Sequence, residues 1–131
     1  MTENTPFFEK PESDIRKVMA GMPKPVVEAA LRFRASGNYD LLAPLITEAI
    51  AIYRPKNHVY SIEVPPPETR LRENLGLDSL ALTEMAFMFD ELFGIPIEIR
   101  EVAGILTFGQ LHAFLRSKLA ETSTPATVSP N

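Results

Sequence analysis

The chain has 131 residues, of which 45% are apolar and 23% charged, and its formal net charge is −4. That length suits one domain with a modest core, no apolar run approaches the length of a membrane span, and an acidic balance disfavours a nucleic-acid partner, which would leave a basic footprint. The absence of cysteine excludes disulfides and any thiolate chemistry of the chain's own.

The first ten residues show no basic segment followed by an apolar one, so no export signal is read and a cytoplasmic protein is expected. Residues 1–12 are polar, and Phe7 and Phe8 are the side chains there that could dock on a neighbour. Ser13 to Met22 reads as a short helix with Ile15, Val18, Met19 and Met22 on one face. A second helix is expected from Pro25 to Ala35, carrying Val26, Val27, Ala30, Leu31 and Phe33, with Ser36-Gly37-Asn38 as its stop. Asp40 is the expected cap of a third helix, in which Leu41, Leu42, Leu45, Ile46, Ala49, Ile50 and Tyr53 recur at helical spacing until Arg54-Pro55. Pro44 is tolerable there because it falls near the first turn.

A long connection follows, with a potentially extended run from His58 to Val64 and then Pro65-Pro66-Pro67, which favours polyproline II. Beyond it lies Glu73-Asn74-Leu75-Gly76-Leu77-Asp78-Ser79-Leu80, which sets one serine hydroxyl at a loop-to-helix junction. The N–H groups of a first helical turn lack intrahelical partners and lie at the positive end of the helix dipole, so a phosphate esterified to Ser79 would meet a favourable field. Gly76 eases the approach and Asp78 is the expected N-cap. Leu77 and Ala81 stand where a nucleophile elbow needs glycine, so Ser79 does not read as an enzyme's own nucleophile. Taken alone, the same serine could be an ordinary helix-initiating residue.

From Ser79 to Phe93, Leu82, Met85, Ala86, Phe89 and Phe93 form the expected buried stripe, and Leu80, Glu84, Phe87, Met88 and Glu91 lie opposite. An outer face that mixes apolar and acidic side chains suits repeated docking to partners. The other reading is that the bundle or the N-terminal segment buries Phe87 and Met88. Gly94 is expected to end the helix, and Glu98 to Gly104 to form a short helix. Thr107-Phe108-Gly109-Gln110 reads as a capping box that opens a last helix with a Phe108, Leu111, Leu115, Leu119 core stripe. The tail from Glu121 to Asn131 is rich in Ser, Thr and Pro with no hydrophobic period and reads as disordered.

Over Thr69 to Ala120 the ordered pattern resembles the acyl carrier protein family: Leu75, Gly76, Asp78, Ser79 and Leu80, then Glu84, then Asp90-Glu91-Leu92-Phe93-Gly94-Ile95, then the Thr107-led helix. The resemblance implies an all-α fold, a four-helix carrier bundle over residues 40–120, preceded by one or two extra helices in a 1–39 extension and followed by the 121–131 tail. It implies a 4′-phosphopantetheine arm on Ser79, taken from coenzyme A by a phosphopantetheinyl transferase, with Asp78 helping to place the metal-bound complex. It implies no enzymatic activity of the chain's own. The partners it implies are acyl-transferring or synthase enzymes of fatty-acid, polyketide or related lipid biosynthesis, which would read the helix that follows Ser79. The aspartate before the serine favours acyl cargo over peptidyl cargo. An unmodified interaction scaffold and an aminoacyl carrier of the D-alanyl type are the alternatives. Ala81 and Leu92 stand where the fatty-acid-synthesis type is often charged, so partners with basic patches would bind differently.

Leu82, Ala86, Ile105 and Leu106 are candidates for a cleft that shields a growing chain, and equally for plain core. His58 and His112 belong to no metal-ligand spacing, and adjacent Asp90 and Glu91 point to different azimuths, which is poor geometry for an acid–base pair. Residues 1–70 hold nine basic and nine acidic side chains, against four and eight in residues 71–131, so the acidity belongs to the carrier-like half. Lys17, Lys24, Arg32 and Arg34 form a basic region that is either a solvated face or one that folds against the bundle or a second copy.

Overall fold

The computed structural model describes residues 6–54 and 63–123. Most of the expected extended run and the tail from residue 124 onward lie outside them. The helices are α1 (Glu12–Val18), α2 (Lys24–Ser36), α3 (Leu42–Tyr53), α4 (Ser79–Phe93), α5 (Ile99–Ala103) and α6 (Phe108–Ser123), with short 3-10 turns at Phe7–Glu9 and Tyr39–Leu41. Among the described residues there is one isolated β-bridge, between Arg70 and Thr107. The fold is thus an all-α bundle of α3 to α6 with two extra helices before it.

Two helix expectations change at their ends. The first helix stops at Val18, because Met22 N–H bonds the Met19 carbonyl (3.0 Å) in a turn around Gly21. Asp40 does not cap α3. Asn38 Oδ1 instead accepts from Asp40 N–H (2.9 Å) and opens the 3-10 turn. Leu42 N–H then bonds the Tyr39 carbonyl, so α3 is entered through hydrogen-bonded backbone and has no side-chain cap. Pro44 sits in the first turn of α3, where its missing N–H costs nothing. The last helix runs to Ser123, so the first three residues read as tail are helical.

One hydrophobic cluster runs through the whole set. It includes Phe7, Ile15, Met19, Ala30 and Phe33 from before residue 39, together with Leu45 and Ile46 of α3, Met85, Phe89 and Phe93 of α4, and Leu115 and Leu119 of α6. The join is aromatic. The Phe7 ring stands edge-on to Phe93 at 5.0 Å and lies 5.6 Å from Phe33, and Phe93 stacks on Phe89 at 5.3 Å. Such pairs add about 0.5–1.5 kcal/mol each beyond the area they bury. The basic region is divided in its use: Arg34 donates to the Lys10 carbonyl (2.7 Å), whereas Lys17, Lys24 and Arg32 are exposed.

The segment before α4 is strapped across the start of α6. Pro67 and Thr69 carbonyls accept from Gly109 and Phe108 N–H (both 2.8 Å), Thr107 Oγ1 accepts from Gln110 N–H (3.2 Å), and Leu111 N–H bonds the Thr107 carbonyl. The orphaned donors of Phe108, Gly109 and Gln110 are thereby satisfied, and the Leu111 bond is the first within the helix. Gln110 Oε1 accepts in return from Thr107 N–H, which completes the expected capping box. The strap passes so close that a Cβ at Gly109 would come within 2.9 Å of Pro67 Cβ, which accounts for glycine there. On the far side, Glu98 and Glu101 form a capping box for α5, and Lys118 of α6 bridges to Glu101 at 3.1 Å.

His112 of α6 lies beside Phe108 with its Nε2 buried and unbonded, and burial, then the charge of Arg116, holds its imidazole below the usual value of 6.5. The unfolded chain therefore takes up this proton first. The stabilisation is complete above the ordinary value and is lost as pH falls from there to the depressed folded value. Urea midpoints between about pH 7 and pH 5 are expected to fall more for the native chain than for His112→Gln. Parallel slopes for the two would contradict the assignment.

Candidate functional site

Gly76 takes a positive φ of 74°, a conformation that costs other residues strain, and the chain turns back on itself there. Gly76 N–H bonds the Arg72 carbonyl and Leu77 N–H the Leu71 carbonyl (both 3.0 Å). The turn drives Leu71, Leu75 and Leu77 into the core, and the intervening polar residues are left outside. Asp78 follows as the N-cap of α4, its Oδ1 accepting from Ala81 N–H at 2.9 Å, as its position implies. Ser79 is thus the first helical residue, exposed, on a backbone fixed from both sides.

The Ser79 hydroxyl oxygen accepts a hydrogen bond from Arg72 Nη2 at 2.6 Å. No feature of the sequence pattern singles out Arg72, which lies seven residues away and reaches Ser79 because of the turn at Gly76. Arg70 is engaged with Glu73 (3.3 Å). The Glu73 carboxyl is held below the usual carboxylate range, first by its own backbone N–H and then by Arg70.

Beside Ser79 opens a cleft of about 130 Å³ between α4 and α5, lined by Arg72, Ser79, Leu82, Thr83, Ile99, Val102 and Ala103. Leu82 lines this cleft and is also buried in the core, so both readings open for it hold. Ala86 is buried outside that lining, Ile105 is buried, and Leu106 is half-exposed with its backbone pinned to Leu71 and Gln110. The second wall is α5, because its five residues run beside the first turns of α4. A larger hollow of about 250 Å³ between α3 and residues 63–66 shares no lining residue with this cleft.

On the outer side of α4, Leu80 and Phe87 are 65% and 56% exposed, and Glu84 and Glu91 are exposed with them. These four share a stripe at spacings of four, three and four. Met88 does not belong to it: it is 4% exposed and sits in the core. The reason is a second buried column, Ala81, Met85, Met88 and Leu92, since α4 packs against α1, α3 and α5 and so buries a wider arc than one stripe. The same packing explains why Ala81 and Leu92 are apolar. Glu84 also acts on α3, where burial and then its charge push the Tyr53 phenol above its usual value.

The chemistry available is narrow. The described hydrogen bond to Ser79 Oγ comes from a guanidinium, which stays protonated and cannot serve as a base. Among the described residues no group of three or more His, Cys, Asp or Glu side chains could hold a metal ion. Also among them, no helix is long and apolar enough to cross a membrane. What the geometry offers is a fixed, exposed hydroxyl with a guanidinium on it and a small, mostly apolar cleft beside it. The residues fit a phosphate-linked arm: the oxygen is open to esterification, a cation is within bonding reach, and the cleft offers apolar walls.

The family described as "Phosphopantetheine attachment site" matches residues 59–115. The acyl carrier protein of Nitratidesulfovibrio vulgaris (strain DSM 19637 / Miyazaki F) is 38% identical over 58 residues, which is 44% of this chain and 76% of that protein. No solved structure shows a significant match. The chain belongs to the acyl carrier protein family, whose prosthetic group is covalently attached 4′-phosphopantetheine and whose members are carriers, not enzymes.

Proposed function

We propose that Ser79 is the attachment point and that the chain presents acyl groups to enzymes of a dedicated fatty-acid, polyketide or related lipid pathway. The observation that carries this is the exposed Ser79 hydroxyl at the capped N-terminus of α4, inside the region matched by the attachment family. In loading, Ser79 Oγ would attack the coenzyme A phosphate nearest the pantetheine. The new O–P bond replaces the pyrophosphate P–O bond, adenosine 3′,5′-bisphosphate leaves, and the hydroxyl proton passes to a base of the transferase. Asp78, already committed to capping α4 through one oxygen, keeps its other oxygen for the incoming metal-bound complex. When attached, the arm supplies a thiol that the cysteine-free chain lacks and holds an acyl group as a thioester on a long tether.

In this reading residues 40–120 are the carrier and residues 1–39 an extension built onto it. The name of the similar protein supports acyl cargo. The docking stripe is Leu80, Glu84, Phe87 and Glu91, in which apolar side chains alternate with carboxylates. Intact mass after incubation with coenzyme A, Mg²⁺ and a broad-specificity phosphopantetheinyl transferase tests the attachment. One phosphopantetheine-sized gain is expected for the native chain and none for Ser79→Ala. No gain with several transferases would point to an unloaded scaffold.

A further inference from the structure

We propose that Arg72 is the cationic partner of the esterified phosphate, holding the Ser79 oxygen before modification and pairing with the phosphodiester afterwards. This rests on Ser79 being the attachment point. Esterification replaces a neutral hydroxyl with a permanent anion, and it does so next to Asp78, in the half of the chain that holds four basic and eight acidic side chains. An anion there needs a cation, and the described basic residues between 70 and 118 can be accounted for one by one. Arg70 is engaged with Glu73 (3.3 Å), Arg100 with Glu98 (2.7 Å) and Lys118 with Glu101 (3.1 Å), while Arg116 lies over the Tyr39 ring at 5.1 Å. Arg72 forms no ion pair among the described residues, although its charge also acts on Glu73, and its guanidinium is hydrogen-bonded to Ser79 Oγ, the atom that would carry the phosphorus.

The placement is built into the fold. Leu71 is fully buried and its N–H bonds the Leu106 carbonyl at 2.9 Å, and the Arg72 carbonyl is held by Gly76, so the side chain leaves a fixed backbone. A guanidinium presents several coplanar donors that match a phosphate, stays charged at every physiological pH, and forms shorter and stronger hydrogen bonds to an anion than to a neutral oxygen. On modification the negative charge lies on the non-bridging phosphate oxygens, one bond beyond Oγ, so a guanidinium already 2.6 Å from Oγ has only to turn toward them to exchange a bond to a neutral oxygen for one to an anion. Arg72 also lines the α4–α5 cleft, so the phosphate would be held at the mouth of the apolar space nearest to Ser79.

The test is a cycle of two forms and three sequences: unmodified and fully phosphopantetheinylated native chain, Arg72→Gln and Arg72→Lys, each melted at low and at high salt. The unmodified forms are expected to melt within about 1 °C of one another, since Arg72 is exposed and bonds a neutral group. On modification, the Gln variant is expected to fall about 3 °C behind the native chain, with Lys recovering part of the gap and high salt closing most of it. The phosphorus NMR resonance of the modified Gln variant should move relative to native and return toward it in the Lys variant. Equal shifts on modification in all three, with unmoved phosphorus resonances, would overturn the role of Arg72 alone. Absence of any mass gain in the native chain would overturn the attachment reading and this one with it.

Discussion

A chain lacking residues 1–38 is expected to melt at least about 10 °C below the full chain, or to lose its cooperative transition and bind a hydrophobic dye. Deletion removes Phe7, Ile15, Met19, Val26, Ala30 and Phe33, each buried to within 1% of completely. Burying any one of these apart from Ala30 contributes roughly 1.5–3 kcal/mol, against about 5–15 kcal/mol for the net stability of a whole domain. The ordering entropy of the deleted helices is regained, which offsets part of the loss. What is not offset is the apolar surface left behind on α3 and α4, which α2 and α1 now cover. Polar ties go as well: the bond of Lys10 Nζ to the Leu92 carbonyl (3.4 Å), and the Asn38 cap of the 3-10 turn that holds Tyr39 beneath Arg116. An unchanged midpoint and a monomeric truncated chain would show that the extension is a passenger.

Phe93→Ala separates a shared core from mere proximity, because it leaves both halves present and removes only the ring between them. Phe93 is 1% exposed, meets Phe7 at 5.0 Å and Phe33 at 6.4 Å from the extension, and stacks on Phe89 within α4 at 5.3 Å. Truncation of a buried Phe to Ala costs about 3–5 kcal/mol, through lost transfer energy and the cavity left behind. The loss is expected at the upper end of that range, since rings from α2 and α4 frame the cavity and the backbone beside it is held by the left-handed Gly94 cap and by Asp90 Oδ2 on Ile97 N–H (2.9 Å). A loss below about 1 kcal/mol in urea unfolding would mean that the two halves do not share this core. Ser79 lies at the opposite end of the same helix, so loading by the transferase should persist in the folded fraction of Phe93→Ala.

The parts of the fold legible in the sequence were those set by local chemistry. Asp78 and Gly94 bound α4 where a capping side chain and a left-handed glycine dictate, and Thr107 with Gln110 opens α6. The Phe108, Leu111, Leu115 and Leu119 stripe needed only the helical period. What periodicity does not report is how many neighbours a helix has. Met88 reads as surface if α4 is packed on one side and as core once α1, α3 and α5 surround it. The cap expected of Asp40 is not used, because Asn38 opens a 3-10 turn that leads straight into α3 and gives Leu42 N–H a backbone partner. In the site, Ser79 and Asp78 follow from the motif, whereas Leu82 follows only from the helical period, which leaves cleft and core equally open. Arg72 and the α5 wall follow from neither, because both depend on a loop that reverses at Gly76 and on the packing of a five-residue helix. The aromatic residues Phe7, Phe8 and Phe33 were the available sign that the extension joins the core, and Phe7 and Phe33 are fully buried in it.

The most direct test of the central claim is to digest the modified protein with trypsin and find which peptide carries the arm. Cleavage after Arg72 and Arg100 releases residues 73–100, whose side-chain hydroxyls are those of Ser79 and Thr83. The expected result is one phosphopantetheine on that peptide, with fragment ions placing it on Ser79, and an unmodified peptide from Ser79→Ala. An arm on any other peptide, or one retained by the Ser79→Ala chain, would contradict the assignment of the carrier's attachment point.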